Sequence, residues 1–326
     1  MIETIMTGIK TRVIVNPISG GGKTAREIER ITGMLDSALG ASYSLSMTNR
    51  PGYAESLTKK AIREGARLVI GVGGDGTMQE IVNGFMQLKD TEDCECELGI
   101  ISSGTGQGLA QSLDLPASLK GQLDMIGDTD CREIDIGKVR FCDASARTVE
   151  RYFVNECQIG IGGEVVRRMS PRMKMLGGRL AFGVTAFVKA LSYPGRLMTL
   201  VIDDSHAIAR RLIGVAVANG AYTGGGMFIA PGAAVNDGLL DVLLIENQSC
   251  LRRLWNFPRI YTGNHIRSKE FSYFRCRKIE VNCNDRVPLE ADGESLGFLP
   301  CTINVIPQAI RIKSNGLGRG ERCDLI

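Results

Sequence analysis

Val69-Ile70-Gly71-Val72-Gly73-Gly74-Asp75-Gly76-Thr77 is the stretch on which the fold turns. An apolar run ends in closely spaced glycines, which reads as a strand entering a tight turn. Gly71, Gly73 and Gly76 satisfy G-x-G-x-x-G, the fingerprint of a dinucleotide loop, but Asp75 puts a carboxylate where a pyrophosphate would lie. The acid that would hold a ribose is also missing, because the next apolar run, Leu98–Ile101, leads into Ser102-Ser103. Both details argue against NAD as a redox cofactor. They favour a phosphate loop in which Asp75 engages a metal or a nucleophile.

On either side of this stretch, short apolar runs at Thr11–Val15, Tyr43–Met47 and Leu98–Ile101 alternate with helical patterns at Lys23–Leu39, Gly52–Gly65 and Thr77–Leu88. Strands separated by helices of that length predict right-handed crossovers and an open α/β domain with a parallel sheet. Beyond Leu115-Pro116 the pattern changes. Arg132–Arg140, Arg151–Ile159, Arg196–Ile202, Ala207–Ala218, Leu239–Ile245, Phe271–Val281 and Thr302–Ile306 read as strands joined by turn residues. Helices are expected at Pro171–Tyr193 and Cys250–Tyr261. An antiparallel, mostly β second domain should therefore begin near residue 130.

Ligands of open parallel sheets collect at the carboxyl ends of the strands. Two further glycine-bearing turns belong to that edge, Asn16–Thr24 and Ser102–Gly108. One such turn alone is an ordinary loop, whereas three together form an anion cradle. GGGKT resembles the end of a P-loop, but Pro17 occupies the required first glycine, so a Walker A motif is absent. Lys23 reads equally well as a neutralising cation or a solvated first-turn lysine.

Composition narrows the class. With 326 residues, 44% of them hydrophobic, two cores can be filled, and a net charge of +3 gives no reason to expect nucleic acid. The first residues do not read as a signal peptide, and no run approaches a membrane span. The ten cysteines lack zinc spacing and point to a reducing, cytoplasmic setting. His206 and His265 read as structural.

NPISGGGK at Asn16–Lys23, GGDGTMQEIVNG at Gly73–Gly84 and SSGTGQGLA at Ser102–Ala110 resemble the diacylglycerol kinase catalytic domain family, which includes bacterial lipid kinases and sphingosine kinases. NGAYTGGGMFIAPGAAVNDGLLDV at Asn219–Val242, EADGESLG at Glu290–Gly297 and the insert-like Leu176–Tyr193 fit the same order. The resemblance implies a Rossmann-like α/β nucleotide domain at 1–129 and an antiparallel β-sandwich at 130–306, with 307–326 returning to the first domain. It further implies ATP-dependent phosphorylation of a lipid hydroxyl on diacylglycerol, a sphingoid base or a ceramide-like acceptor.

Family ATP contacts fall on Asn16, Pro17, Ile18, Ser19, Gly20, Thr48, Gly73, Gly74, Asp75, Gly76, Thr77, Met78, Gln79 and Thr105. A Mg²⁺ site falls on Ala234, Asp237 and Leu239, and the base falls on Glu294, with Asp75 its rival. Asp292 and Glu294 lie two apart, so on an extended segment they would face one side and act together. Gln107 departs from the family's asparagine, and the residues after it lean towards the sphingosine-kinase form. Peripheral membrane contact is expected where Arg167, Arg168, Arg172, Lys174 and Arg179 accompany methionines, and the reading leaves room for a homodimer. An NAD kinase-like phosphotransferase and an inactive nucleotide- or lipid-binding protein stay open as alternatives.

Overall fold

The computed structural model describes residues 10–314 except 41, 90–94, 104–107, 129, 170–184, 186, 187, 189 and 190. Its first part runs β1 (Thr11–Val15), α1 (Ser19–Arg26), α2 (Ile28–Leu39), β2 (Tyr43–Met47), α3 (Tyr53–Arg63), β3 (Leu68–Gly73), α4 (Asp75–Lys89), β4 (Glu97–Ser102), α5 (Gly108–Ser112) and α6 (Leu119–Asp128). The four strands pair in parallel in the order β2-β1-β3-β4. β1 and β3 are almost wholly buried along their length, as expected of parallel strands covered on both faces. α4 is buried nearly all round, with Met78, Ile81, Val82, Phe85, Met86 and Leu88 joined by Thr77, Gln79 and Asn83. A helix of that kind belongs inside the molecule, and it packs between the parallel sheet and the strands that follow.

The second part contains β5 (Cys131–Cys142), β6 (Thr148–Phe153), β7 (Glu156–Gly160), α7 (Ile161–Arg168), β8 (Arg196–Ile202), β9 (Ile208–Ala218), β10 (Leu240–Glu246), α8 (Cys250–Asn256), β11 (Phe271–Cys276), β12 (Lys278–Asn282), β13 (Pro288–Ala291) and β14 (Glu294–Lys313). These strands pair antiparallel and enclose a second core of Val139, Phe153, Ile159, Val217, Leu244 and Ile303. The end of β14 then joins the parallel sheet through Ile312 opposite Leu98. One continuous sheet therefore runs through both parts, and α4 is tied across the join. Asn83 accepts the Tyr152 N–H at 3.0 Å and donates to the Tyr152 carbonyl at 2.8 Å.

Two of the expected strands are broken, each by an aspartate. Arg151–Ile159 divides into β6 and β7 because Asp292 takes the N–H groups of Val154, Asn155 and Glu156 out of the ladder. Phe271–Val281 divides into β11 and β12 where Asp203 accepts the N–H groups of Arg277 and Lys278. Cys250–Tyr261 is α-helical only to Asn256, and Pro258, which has no N–H, opens a 3₁₀ turn. α5, α6, α7 and β13 went unread, because glycines and short lengths obscure their periods. Most of the Pro171–Tyr193 insert lies outside the described residues.

Candidate active site

The glycine turns meet at the carboxyl ends of β1, β3 and β4. Asn16 donates through Nδ2 to Thr77 Oγ1 at 2.9 Å, linking the first turn to the second. The Ser103 N–H donates to the Gly73 carbonyl at 2.9 Å, and Ser103 Oγ lies 3.0 Å from Ser19 Oγ and 2.7 Å from Thr24 Oγ1. Gly20, Gly21 and Gly22 all adopt positive φ, so the chain curls left-handed before α1 becomes regular. At Gly20 a Cβ would sit 2.6 Å from the Ser103 carbonyl oxygen, so only glycine lets the first and third turns approach this closely. Ile18 is exposed on the outer lip, and Thr48 is held beside the cradle by its N–H bond to the Val15 carbonyl. Lys23 pairs with Glu27 at 3.9 Å on the surface. Thr105 and Gln107 lie outside the described residues.

Two expected nucleotide contacts turn inward. Met78 is 2% exposed and packs under Gly71, and Gln79 donates to the Ala291 carbonyl at 2.9 Å. Their side chains join the core and the two parts of the molecule. What this helix end presents to solvent is Asp75 and Gly76, and Asp75 Oδ2 accepts the Gly108 N–H at 3.2 Å.

The acids from the second part do not face one side as their spacing suggested. Asp292 and Gly293 both have positive φ and form the tight turn between β13 and β14, with Ala291 opposite Glu294. Asp292 therefore points into the protein, where its oxygens accept the three β6–β7 amides at 2.8, 2.9 and 3.0 Å. Glu294 points out, and its Oε1 lies 3.3 Å from where a Cβ on Gly76 would stand. The turn thus sends one acid to brace a corner and the other to the mouth of the phosphate cradle.

Sequence reading missed two more acids, Glu156 on β7 and Glu290 on β13, which are 4% and 1% exposed. With Asp75 and Asp292 they line a cavity of about 50 Å³. Burial raises Glu156 well above the usual carboxylate range, and Glu290 pushes it further. Thr223 donates its hydroxyl to Glu156, and Gln158 donates to Glu156 Oε2 at 2.7 Å. A buried acid on a short strand looks like any alternating polar position, and only the pairing of β7 with β13 brings Glu156 and Glu290 together.

Burial raises Asp292 to about 7 from an ordinary 3.8, against the lowering effect of its three amide donors. Between about pH 4 and 7 the folded protein holds a proton that the unfolded chain has released. This group's contribution to stability is therefore complete below the lower value and is lost as pH rises through the upper one. Asp292→Asn turns an amide nitrogen towards a backbone N–H, so it should cost about 1–3 kcal/mol. It should also remove this share of the pH dependence. Denaturant unfolding at pH 5 and pH 8 checks both, the stability gap between the two pH values narrowing in the variant.

The magnesium loop has a different neighbour from the one expected. Asp237 Oδ1 accepts the Leu239 N–H at 3.1 Å, and Oδ2 faces Arg275 Nη1 at 3.7 Å. Arg275 also reaches Asp241 at 3.2 Å and donates to the Gly232 carbonyl at 2.6 Å. Ala234 stands on the same loop, whose Gly238 N–H is held by Asp135 at 2.7 Å. Among the described residues, no three His, Cys, Asp or Glu side chains are grouped to hold a metal ion. His265 is buried against Phe271 and bonded to the Ile229 carbonyl, and burial lowers it to about 4.

Beside the acidic cavity, on the same face of β7, is an apolar one of about 80 Å³, walled by Ile161, Val165, Ile213, Met227, Ile229 and Phe271. Gln158 lines it and, through its amide, bonds to Glu156 on the acidic side. On the outer side, Arg253 is 8% exposed and donates to the carbonyls of Gln248 and Tyr193. Arg167 and Arg168, the described part of the expected basic surface, both pair with Glu164. Arg172, Lys174 and Arg179 lie outside the described residues.

Known structures share this arrangement of parts. A diacylglycerol kinase from Bacillus anthracis superposes with a TM-score of 0.69 at 19% identity, covering 94% of this chain and 97% of that one. Yeast NADH kinase complexed with NADH gives 0.53 at 13% identity, covering 96% and 85%. The fold is thus of the diacylglycerol kinase and NAD kinase type, an α/β domain followed by an antiparallel β-rich one.

Two family models then cover most of the sequence. The diacylglycerol kinase catalytic domain matches residues 10–139, and the YegS C-terminal NAD kinase beta sandwich-like domain matches 157–314. The first part of the chain, residues 10–139, belongs to the diacylglycerol kinase catalytic domain family. The chain is 27% identical over 304 residues to the diacylglycerol kinase of Mycobacterium tuberculosis, covering 93% of this chain and 94% of that protein. Against the diacylglycerol kinase of Bacillus subtilis it is 27% identical over 299 residues, covering 89% and 91%.

Proposed function

We propose that this protein is an ATP-dependent lipid kinase acting on a hydroxyl of a diacylglycerol, sphingoid or ceramide-like acceptor. The observation that carries the reading is the pair of neighbouring cavities along one face of β7, one acidic and bordered by Asp75 of the glycine cradle, the other apolar. An acceptor with a polar head and an acyl tail has chemistry for both, which NAD does not. The triphosphate lies against the turns at Asn16–Gly20 and Gly73–Thr77, near the start of α4. Glu294 takes the acceptor's proton as its oxygen attacks the γ-phosphorus and ADP departs, while Asp75 orients the reacting groups. Asp292 positions the turn that carries Glu294.

ATP enters as its Mg²⁺ complex, which neutralises charge on the phosphates. The Ala234–Leu239 loop does not suit a divalent cation of its own, because its one carboxylate already faces a guanidinium. Arg275 supplies the positive charge there.

Radiolabelled ATP offered with a lipid extract, and separately with NAD, tests the whole reading. Label should enter the organic phase, require Mg²⁺ and leave NAD untouched. EDTA should stop turnover without changing the melting temperature. Labelled NADP, or no transfer to any lipid class, would refute the assignment.

A further inference from the structure

We propose that the outer face of α8 and the 3₁₀ turn after it (Pro258–Thr262) is a docking surface for an anionic lipid bilayer. Leu251, Leu254 and Trp255 are 79%, 47% and 71% exposed, although all three come from a helix whose other face is buried. Arg253 and Asn256 on that inner face help line the apolar cavity, so the exposed apolar face is the outside of the same wall. A helix that buries polar side chains while presenting leucines and a tryptophan to solvent is inverted relative to an ordinary surface helix.

The charge around this face identifies the occupant. Between residues 250 and 270 stand Arg252, Arg253, Arg259, Arg267 and Lys269, with Glu270 the only acid. Arg252, Arg259 and Lys269 line a groove of about 450 Å³ beside Trp255, and Arg259 stacks on the indole 5.6 Å from its centre. Glu270 pairs with Arg252, which leaves the groove net positive. An indole flanked by leucines and cations suits the boundary between acyl chains and anionic headgroups, where tryptophan's apolar body and N–H are both satisfied. Among the described residues, no helix is long and apolar enough to cross a membrane. The choice of a bilayer rests on the lipid-kinase reading, but the test below measures binding without turnover, so either can fail alone.

Trp255 is the chain's one tryptophan, which makes its emission a direct report from this face. With the full chain and vesicles of phosphatidylglycerol and phosphatidylcholine in equal parts, emission should shift to shorter wavelength. Brominated acyl chains should quench it. Vesicles of phosphatidylcholine alone should have a weaker effect, and salt near 1 M should remove the difference, since screening there acts over roughly 3 Å. Leu251→Ser with Leu254→Ser removes apolar area from the contact and should weaken vesicle binding by about tenfold or more. The same double variant should phosphorylate a water-soluble short-chain acceptor at the parent rate. Arg259→Gln with Lys269→Gln should abolish the preference for anionic vesicles.

Unchanged emission on mixing with vesicles would overturn the proposal, whether or not the protein sediments with them, because sedimentation alone would mean that another face docks. A shift that grows with protein concentration in the absence of lipid, together with a dimer mass, would also overturn it and assign the face to a second copy of the chain.

Discussion

Glu294→Gln should lower kcat by about 10²–10⁴-fold with saturating ATP and lipid, because the amide keeps the shape of the side chain but cannot accept a proton. ATP affinity should change less than turnover, since Glu294 stands at the mouth of the cradle and is not one of the glycine-turn residues assigned to the phosphates. Asp75→Asn should behave differently. Asp75 starts α4 and accepts the Gly108 N–H, so its loss should disturb the joint between the second and third turns as well as the chemistry. Turnover of both variants across a Mg²⁺ titration separates the roles. If Glu294→Gln keeps near-parent turnover while Asp75→Asn is inactive at every Mg²⁺ level, Asp75 is the base and Glu294 is not.

The second large effect belongs to the glycine cradle. Gly20→Ala should weaken ATP binding by tenfold or more, on the order of 1.4 kcal/mol, while the two cores stay folded. The new methyl meets the Ser103 carbonyl at 2.6 Å and sits on a residue with φ of +61°. Relief requires the first turn to swing away from the third, which disrupts the hydroxyl cluster of Ser19, Thr24 and Ser103. Calorimetry with a non-hydrolysable ATP analogue, beside a denaturant melt, checks the result. Parent-like affinity in the folded variant would show that the nucleotide does not depend on this turn.

Local pattern carried much of the architecture. Thr11–Val15, Tyr43–Met47 and Arg196–Ile202 form strands with the bounds that were read, because a run of β-branched or alternating residues between turn signals has few other ways to be satisfied. The glycine turns were legible for the same reason. Gly20 and its neighbours have no side chain to place, so their positions announce tight backbone geometry before any contact is known. The order of those motifs along the chain was also enough to find the family.

Only the tertiary structure decided what the acids do. Asp292 and Glu294 stand two residues apart in the sequence, and an extended segment would have put them side by side. The left-handed turn at Asp292-Gly293 separates them, one beneath three amides from β6–β7 and the other over Gly76. Glu156 and Glu290 become a buried pair only because β7 and β13 are neighbours, and Asp237 meets Arg275 only because β10 and β11 are. Trp255 lies on a helix that the sequence announces, but which way that helix's buried face points is decided by the fold alone. Secondary structure follows from interactions between near neighbours in the chain, which the sequence displays directly. The environment of a charged side chain depends on residues tens to more than a hundred positions away, brought near by strand pairing, and that proximity is visible only in the folded molecule.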